Sequence, residues 1–218
     1  MILCHMRQSV CVFLYSLLIV LQGCTTSLTR AAVLNDVELL EKAISQGADP
    51  NMVDDKNQTA LLWGASLNHP EIVQRLINVH ANLENKESVY GQTALLTAVI
   101  KQHPDIVDIL LKAGADPNTR QNSGTTPLIE ASASNNINLV NMLLSHGADV
   151  KGTSNYGLTP LMVASQKGHI DIARVLLQNG ADPTTALFYG DTALSLAQSN
   201  YHLDVADLHR LMTYALLL

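Results

Sequence analysis

The chain has 218 residues, with 13 basic against 19 acidic side chains and a formal net charge of −6, a balance that argues against nucleic acid or an anionic membrane surface as the partner. Its three cysteines are Cys4, Cys11 and Cys24, so nothing beyond residue 24 can form a disulfide, a thiolate metal site or a cysteine nucleophile. Aromatic residues make up only 4% of the chain, which gives weight to the positions they hold.

Residues 1–23 read as a segment outside the fold. Met1-Ile2-Leu3-Cys4-His5 adds nothing to a basic leader, whereas Met6-Arg7 begins one, so translation is expected to start wholly or partly at Met6. The apolar run Val10–Leu21 is too short to span a bilayer as a mature helix and has the length of a signal-peptide core. It ends in Leu21-Gln22-Gly23-Cys24, which resembles the lipobox of bacterial lipoproteins. The resemblance implies cleavage before Cys24 and acylation of that cysteine, with residues 24–25 as the anchor. Thr25, where an aspartate would imply inner-membrane retention, implies the outer membrane facing the periplasm; starts downstream of Met6 would add a minor cytosolic pool. An ordinary secretory signal beside a chance cysteine is the alternative. Removing the leader takes Arg7 from the thirteen basic residues and leaves twelve against nineteen acidic, a net −7.

From residue 26 onward the chain repeats. Thr26-Ser27-Leu28, Thr59-Ala60-Leu61, Thr93-Ala94-Leu95, Thr126-Pro127-Leu128, Thr159-Pro160-Leu161 and Thr192-Ala193-Leu194 recur every 33 or 34 residues. Twenty-one residues after each of the first five threonines stands a second mark: Gly47-Ala48-Asp49, His80-Ala81-Asn82, Gly114-Ala115-Asp116, Gly147-Ala148-Asp149 and Gly180-Ala181-Asp182. Each threonine is placed to cap a helix, and Pro127 and Pro160 follow where a missing N–H costs nothing. In the fifth unit Leu161, Val163 and Ala164 mark a first helix; Ile170, Ile172, Ala173, Leu176 and Leu177 mark a second, ended by Gly180. Five residues after each threonine the side chain is always small (Ala31, Gly64, Ala98, Ala131, Ala164, Ala197), as two closely approaching helices require. The gap from the second mark to the next threonine is twelve residues, except for thirteen between His80 and Thr93. One connecting finger, within 85–90, should therefore be longer. Asn57 holds the finger position occupied elsewhere by Gly91, Gly124, Gly157 and Gly190, and asparagine tolerates the left-handed conformation next best.

Two phased marks at this period resemble the ankyrin repeat. The resemblance covers 26–218 and implies an all-α repeat solenoid, a stack of about six helix-turn-helix units with β-turn fingers, built to present a surface to another protein. One unit cannot bury its apolar face alone, so stability must come from neighbours.

No chemistry-bearing constellation emerges, and the chain reads as no enzyme, with no cofactor, metal or catalytic residue. His69, His103, His169 and His202 stand ten residues after a repeat threonine and read as structural parts of the inter-helix turn. Asp49, Asp116, Asp149 and Asp182 are placed to accept finger N–H bonds. The residue before the finger glycine is Lys56, Tyr90, Ser123, Tyr156 or Tyr189, with Phe188 beside the last. Three tyrosines at one repeat position should line one side of the molecule, and tyrosine is enriched at interfaces. Packing of each ring on the neighbouring finger is the alternative. Gln92 and Leu158 follow two of these finger glycines, and Leu67, Lys101 and Lys167 lie on the adjacent helical groove; together they complete the candidate protein-binding surface. Trp63 reads as filler for the space left by Gly64, with an interface anchor as the alternative. The apolar end, Leu211–Leu218, departs from a polar cap and either folds over the last helix pair or meets a partner.

The architecture resembles small ankyrin-repeat lipoproteins encoded beside type VI secretion lipase effectors. That likeness implies an immunity protein, one that binds and neutralises a cognate phospholipase at the periplasmic membrane surface. A stack that supports a resident periplasmic enzyme such as catalase in oxidative-stress defence is the second reading, and an intracellular ankyrin protein the third.

Overall fold

The structure, a computed structural model, describes the backbone of residues 26–216 and the side chains of residues 26–210. The leader, Cys24 and the choice of start site lie outside the described residues, as do the side chains of the apolar C-terminal end.

Twelve helices form six antiparallel pairs among the described residues. In chain order they are α1 (Ser27–Leu34), α2 (Val37–Ser45), α3 (Ala60–Ser66), α4 (Pro70–Asn78), α5 (Ala94–Ile100) and α6 (Pro104–Lys112). The second half continues with α7 (Pro127–Ala133), α8 (Ile137–Ser145), α9 (Pro160–Lys167), α10 (Ile170–Gln178), α11 (Ala193–Ser199) and α12 (Leu203–Leu216). The odd-numbered helices pack side by side in one layer and the even-numbered in a second. This is the expected ankyrin stack.

The repeat threonines do what their position demands. Thr59, Thr93, Thr126, Thr159 and Thr192 each accept a hydrogen bond through Oγ1 from the backbone N–H three residues on, at 3.1 to 3.4 Å. Thr26 caps α1 in the same way. Such a cap contributes about 1 kcal/mol, which matters for helices of seven to nine residues that could not hold together in isolation. Packing supplies the rest. Ala31, Ala98, Ala131, Ala164 and Ala197 are all fully buried. A Cβ on Gly64 would lie 3.1 Å from Val73 Cγ2 and 3.3 Å from Ile72 Cγ2, so α4 presses against α3 at that point.

That contact changes the reading of Trp63. The space beside Gly64 is taken by Ile72 and Val73. Trp63 is half-buried, and its indole N–H donates to Asp54 Oδ2 at 2.9 Å.

The four histidines of the inter-helix turns lie where a structural role places them. His69 Nδ1 lies 2.8 Å from the Ala32 carbonyl, and His103 and His169 reach the Ser66 and Ala133 carbonyls through Nε2 at 3.3 Å. Each ring thus ties its unit to the previous one. His202 packs against Gly168 so closely that a Cβ there would lie 2.6 Å from the imidazole.

A different histidine carries a cost. Leu76, Leu110, Leu143 and Leu176 occupy one core position of the second helices, and His209 takes that place in α12, also fully buried. Ser165 Oγ gives its proton to the Leu161 carbonyl, which leaves it to accept from His209 Nε2–H at 2.7 Å. Burial pushes the His209 pKa below the ordinary histidine value. The folded state then binds the proton less tightly than the unfolded one, so stability is complete above the unfolded pKa, near 6.5, and falls as pH drops through it. Hydrogen exchange should show the α11–α12 pair opening more readily at pH 5 than at pH 7.5. His209→Leu, which restores the residue of units two to five, should remove that dependence; a pH effect of equal size in the variant would refute it.

Candidate protein-binding surface

Five fingers link successive helix pairs, and in each a backbone hydrogen bond spans the base of the turn. Asp54 N–H donates to the Gln58 carbonyl, Gln121 to Thr125, Ser154 to Leu158 and Leu187 to Asp191, each across four residues at 2.8 to 3.2 Å. In the second finger the bond runs from Glu87 to Gln92, across five. The extra residue expected near this point is therefore inside that turn. Glu87 shapes the longer turn: its buried carboxylate accepts from the N–H groups of Val89, Tyr90 and Gln92. Asp54 and Ser154 do the same for their shorter turns.

The fingers are then stitched to one another. Asn122 N–H donates to the Tyr90 carbonyl at 2.7 Å, and Asn155 N–H to the Ser123 carbonyl at 3.0 Å. The side-chain amides of the same two asparagines reach the Val89 and Asn122 carbonyls. Those amides sit over the preceding finger's glycine: a Cβ on Gly91 or Gly124 would come within 2.3 or 2.2 Å of the asparagine oxygen. Both glycines also have positive φ, so close approach and conformation demand the same residue. Asn57, at φ 57°, fills the equivalent place in the first finger and donates to the Lys86 carbonyl.

At the base of the fingers the aspartates act locally. Asp49, Asp116, Asp149 and Asp182 accept from the N–H two residues on, at 2.8 to 2.9 Å. The Thr184 hydroxyl, followed by the Thr184 N–H, holds the Asp182 carboxyl below its ordinary range. Neighbouring units are joined here by Asn51 to Asn82 N–H, Glu84 to Asp116 N–H and Asn118 to Asp149 N–H, at 2.7 to 2.9 Å. Lys151 has no acceptor to continue the ladder.

On this framework the aromatic rings point to solvent. Tyr90 is 61% exposed, Tyr156 77%, Phe188 95% and Tyr189 91%, values that leave no room for burial of the last three against a neighbouring finger. Phe188 and Tyr189 form an edge-to-face pair with centroids 5.2 Å apart. Phe188 stands where Asn122 and Asn155 stitch the earlier fingers, so the fifth finger exchanges that side-chain bond for an exposed ring. Val89, 64% exposed beside Tyr90, extends the apolar strip. It was invisible as a site residue because it shares no side-chain type with its repeat equivalents. Lys56 lies exposed on the first finger, with its carbonyl accepting from Ser88 Oγ.

The remaining candidates divide. Lys101 and Lys167 are exposed at the ends of the first helices, Leu67 is half-buried beside them, and Leu158 packs partly on the core. Gln92 donates to Gln121 Oε1 at 3.2 Å, tying the second finger to the third. Glu130 on α7, a residue the repeat pattern did not single out, receives Gln121 Nε2 at 3.4 Å, and burial pushes its carboxyl pKa up. Among the described residues no group of three or more His, Cys, Asp or Glu is placed to hold a metal ion. No described helix is long and apolar enough to cross a membrane.

A family model described as ankyrin repeats, in three copies, matches residues 28–121 and 116–186. A stretch of 71 residues is 38% identical to part of the glycerophosphocholine phosphodiesterase GDE1 of Candida albicans, covering 31% of this chain and 6% of that protein. The chain spans a small fraction of that relative, and its named activity is not carried over on so short a match.

Two outcomes follow from the finger geometry. Glu87→Ala should free the N–H groups of Val89, Tyr90 and Gln92 and cost about 1–3 kcal/mol, visible as fast amide exchange confined to that finger. Because the rings are exposed, Tyr90, Tyr156 and Tyr189 changed together to alanine should leave the melting temperature unchanged while abolishing partner binding. A central tyrosine of an interface is worth about 2 kcal/mol, or about 30-fold in affinity, and Tyr156 should contribute most. A folded triple variant with full binding would move the site elsewhere.

Proposed function

Since the chain belongs to the ankyrin-repeat family, we propose that it is a non-enzymatic protein-binding module, exported and lipid-anchored in the periplasm, that acts as the immunity partner of a secreted phospholipase. The observation that carries the binding reading is the strip of Tyr156, Phe188 and Tyr189, three large rings 77% to 95% exposed on fingers whose turns are closed by backbone hydrogen bonds. Exposed rings on a preorganised scaffold bind with little ordering cost.

The anchoring reading rests on Leu21-Gln22-Gly23-Cys24 at the end of the apolar run, and on Thr26 opening the first unit two residues later. So short a tether holds the stack against the bilayer, where a phospholipase meets its substrate. Outer-membrane placement follows from Thr25.

The test joins the two claims. Cys24→Ala should abolish incorporation of labelled fatty acid and release the protein from the membrane fraction. In cells attacked by a neighbour secreting the cognate lipase, the wild-type chain should protect, and the triple tyrosine variant should not. Membrane association unaffected by Cys24→Ala would remove the anchor. Co-purification with a resident periplasmic enzyme, without protection against any secreted lipase, would replace immunity by enzyme support.

A further inference from the structure

Glu130 stands four residues after Thr126, on the side of α7 that faces the base of its own unit's finger. The register is fixed by two pairs. In the second unit the residue at this position, Trp63, bonds Asp54 at the finger base; in the fourth, Glu130 meets Gln121 at the equivalent base position. Gln121 is itself held by Gln92 of the preceding finger. Glu130 thus receives a neutral amide and no cation. The salt bridges between described residues lie elsewhere, at Arg75 with Glu41 and Glu71, Lys112 with Asp108, and Arg210 with Asp207.

Such a carboxylate is expensive to keep. It is half-buried, and desolvation raises its pKa with no compensating cation. Units three, five and six put Thr97, Val163 and Leu196 at this position, all uncharged, so the fold does not require an acid there. The aromatic row also has a gap in this unit, where Ser123 replaces the tyrosine of the neighbouring fingers. The exposed tips around it, Val89, Tyr90, Asn122, Asn155 and Tyr156, carry no charge.

We propose that Glu130 is the charged anchor of the binding surface, receiving a basic side chain, arginine in preference to lysine, from a protein partner that enters at Ser123 between Tyr90 and Tyr156. The inference rests on the reading of the finger row as a protein-binding surface, and it names the chemistry of the partner. A guanidinium can form two parallel bonds to a carboxylate and can lie against tyrosine faces, whereas an ammonium offers a point charge alone. Desolvation of the site strengthens the pair, because the partner supplies the missing charge.

Selection of short random peptides displayed on phage, against the full-length chain in detergent, tests this directly. Arginine should be enriched at one position amid apolar residues. The selected peptides should lose about tenfold or more in affinity on Glu130→Gln, and replacement of that arginine by citrulline should cost the wild-type protein as much and the variant little. The glutamine variant should melt no lower than the wild type, since it removes a desolvated charge, so a general loss of structure would be seen separately. Selected peptides without a basic residue, arginine peptides indifferent to Glu130→Gln, or no selected peptides would each overturn the proposal. If Tyr156→Ala weakens the peptides and Glu130→Gln does not, the anchor fails while the finger surface stands; indifference to both removes the finger surface as well.

Discussion

Each helix pair of this chain leaves an apolar face that only the next pair can cover. Each helix packs on the equivalent helix of the next unit, and Ile72, Val73, Ile106, Val107, Ile172 and Ala173 are fully buried within the two layers so formed. The remaining features depend on that condition. Small residues sit at the fifth position after each threonine so that the helix layers can approach. Caps and prolines start helices too short to persist alone. His69, His103 and His169 of the inter-helix turns bond backwards to the previous unit. Stability in such an array is a sum over neighbours. His209 in the sixth unit, where a leucine would serve packing better, lowers the stability of that unit.

The fingers obey a second condition, set by hydrogen bonds instead of burial. A loop projecting from a helix stack has no core of its own, and its backbone groups must find partners among themselves or on adjacent fingers. Asp54, Glu87 and Ser154 satisfy the N–H groups of their own turns, while Asn122 and Asn155 join neighbouring turns. Since these polar bonds define the backbone, the outermost side chains are released from any structural duty. Rings can then be held in solvent at fixed spacing, which is the arrangement that recognition of another protein needs. Glu130, under the gap in the row, shows the same logic in charge: a group with no role in packing, retained where a partner could complete it.

The two conditions also explain why the binding surface is asymmetric. Towards the first finger the tip carries Lys56 and a polar stitch through Asn57. Towards the fifth, Phe188 displaces the stitching asparagine and pairs edge-on with Tyr189. The large exposed rings stand on the second, fourth and fifth fingers, and the paired rings on the fifth.

The repeat period, the helix starts, the small positions and the longer second finger were all legible in the sequence, because each depends on local chemistry within one unit: a capping hydroxyl, an absent N–H, a residue tolerant of positive φ, a count between two marks. The finger tyrosines share one repeat position in the sequence, and Tyr90, Tyr156 and Tyr189 are each exposed there. What tertiary structure alone decided concerns contacts between a finger or helix and the next element, about nine positions on, and between neighbouring units some thirty positions apart. Trp63 pairs with Asp54 while Ile72 and Val73 fill the space at Gly64. The role of Asn122 and Asn155 emerges only when their amides lie over the previous finger's glycine. Nor does a glutamate in a helix announce that Gln121, itself held by Gln92 of the preceding finger, donates to it. Periodicity tells which units repeat; the desolvation and bonding of a single side chain depend on what the neighbouring units place around it.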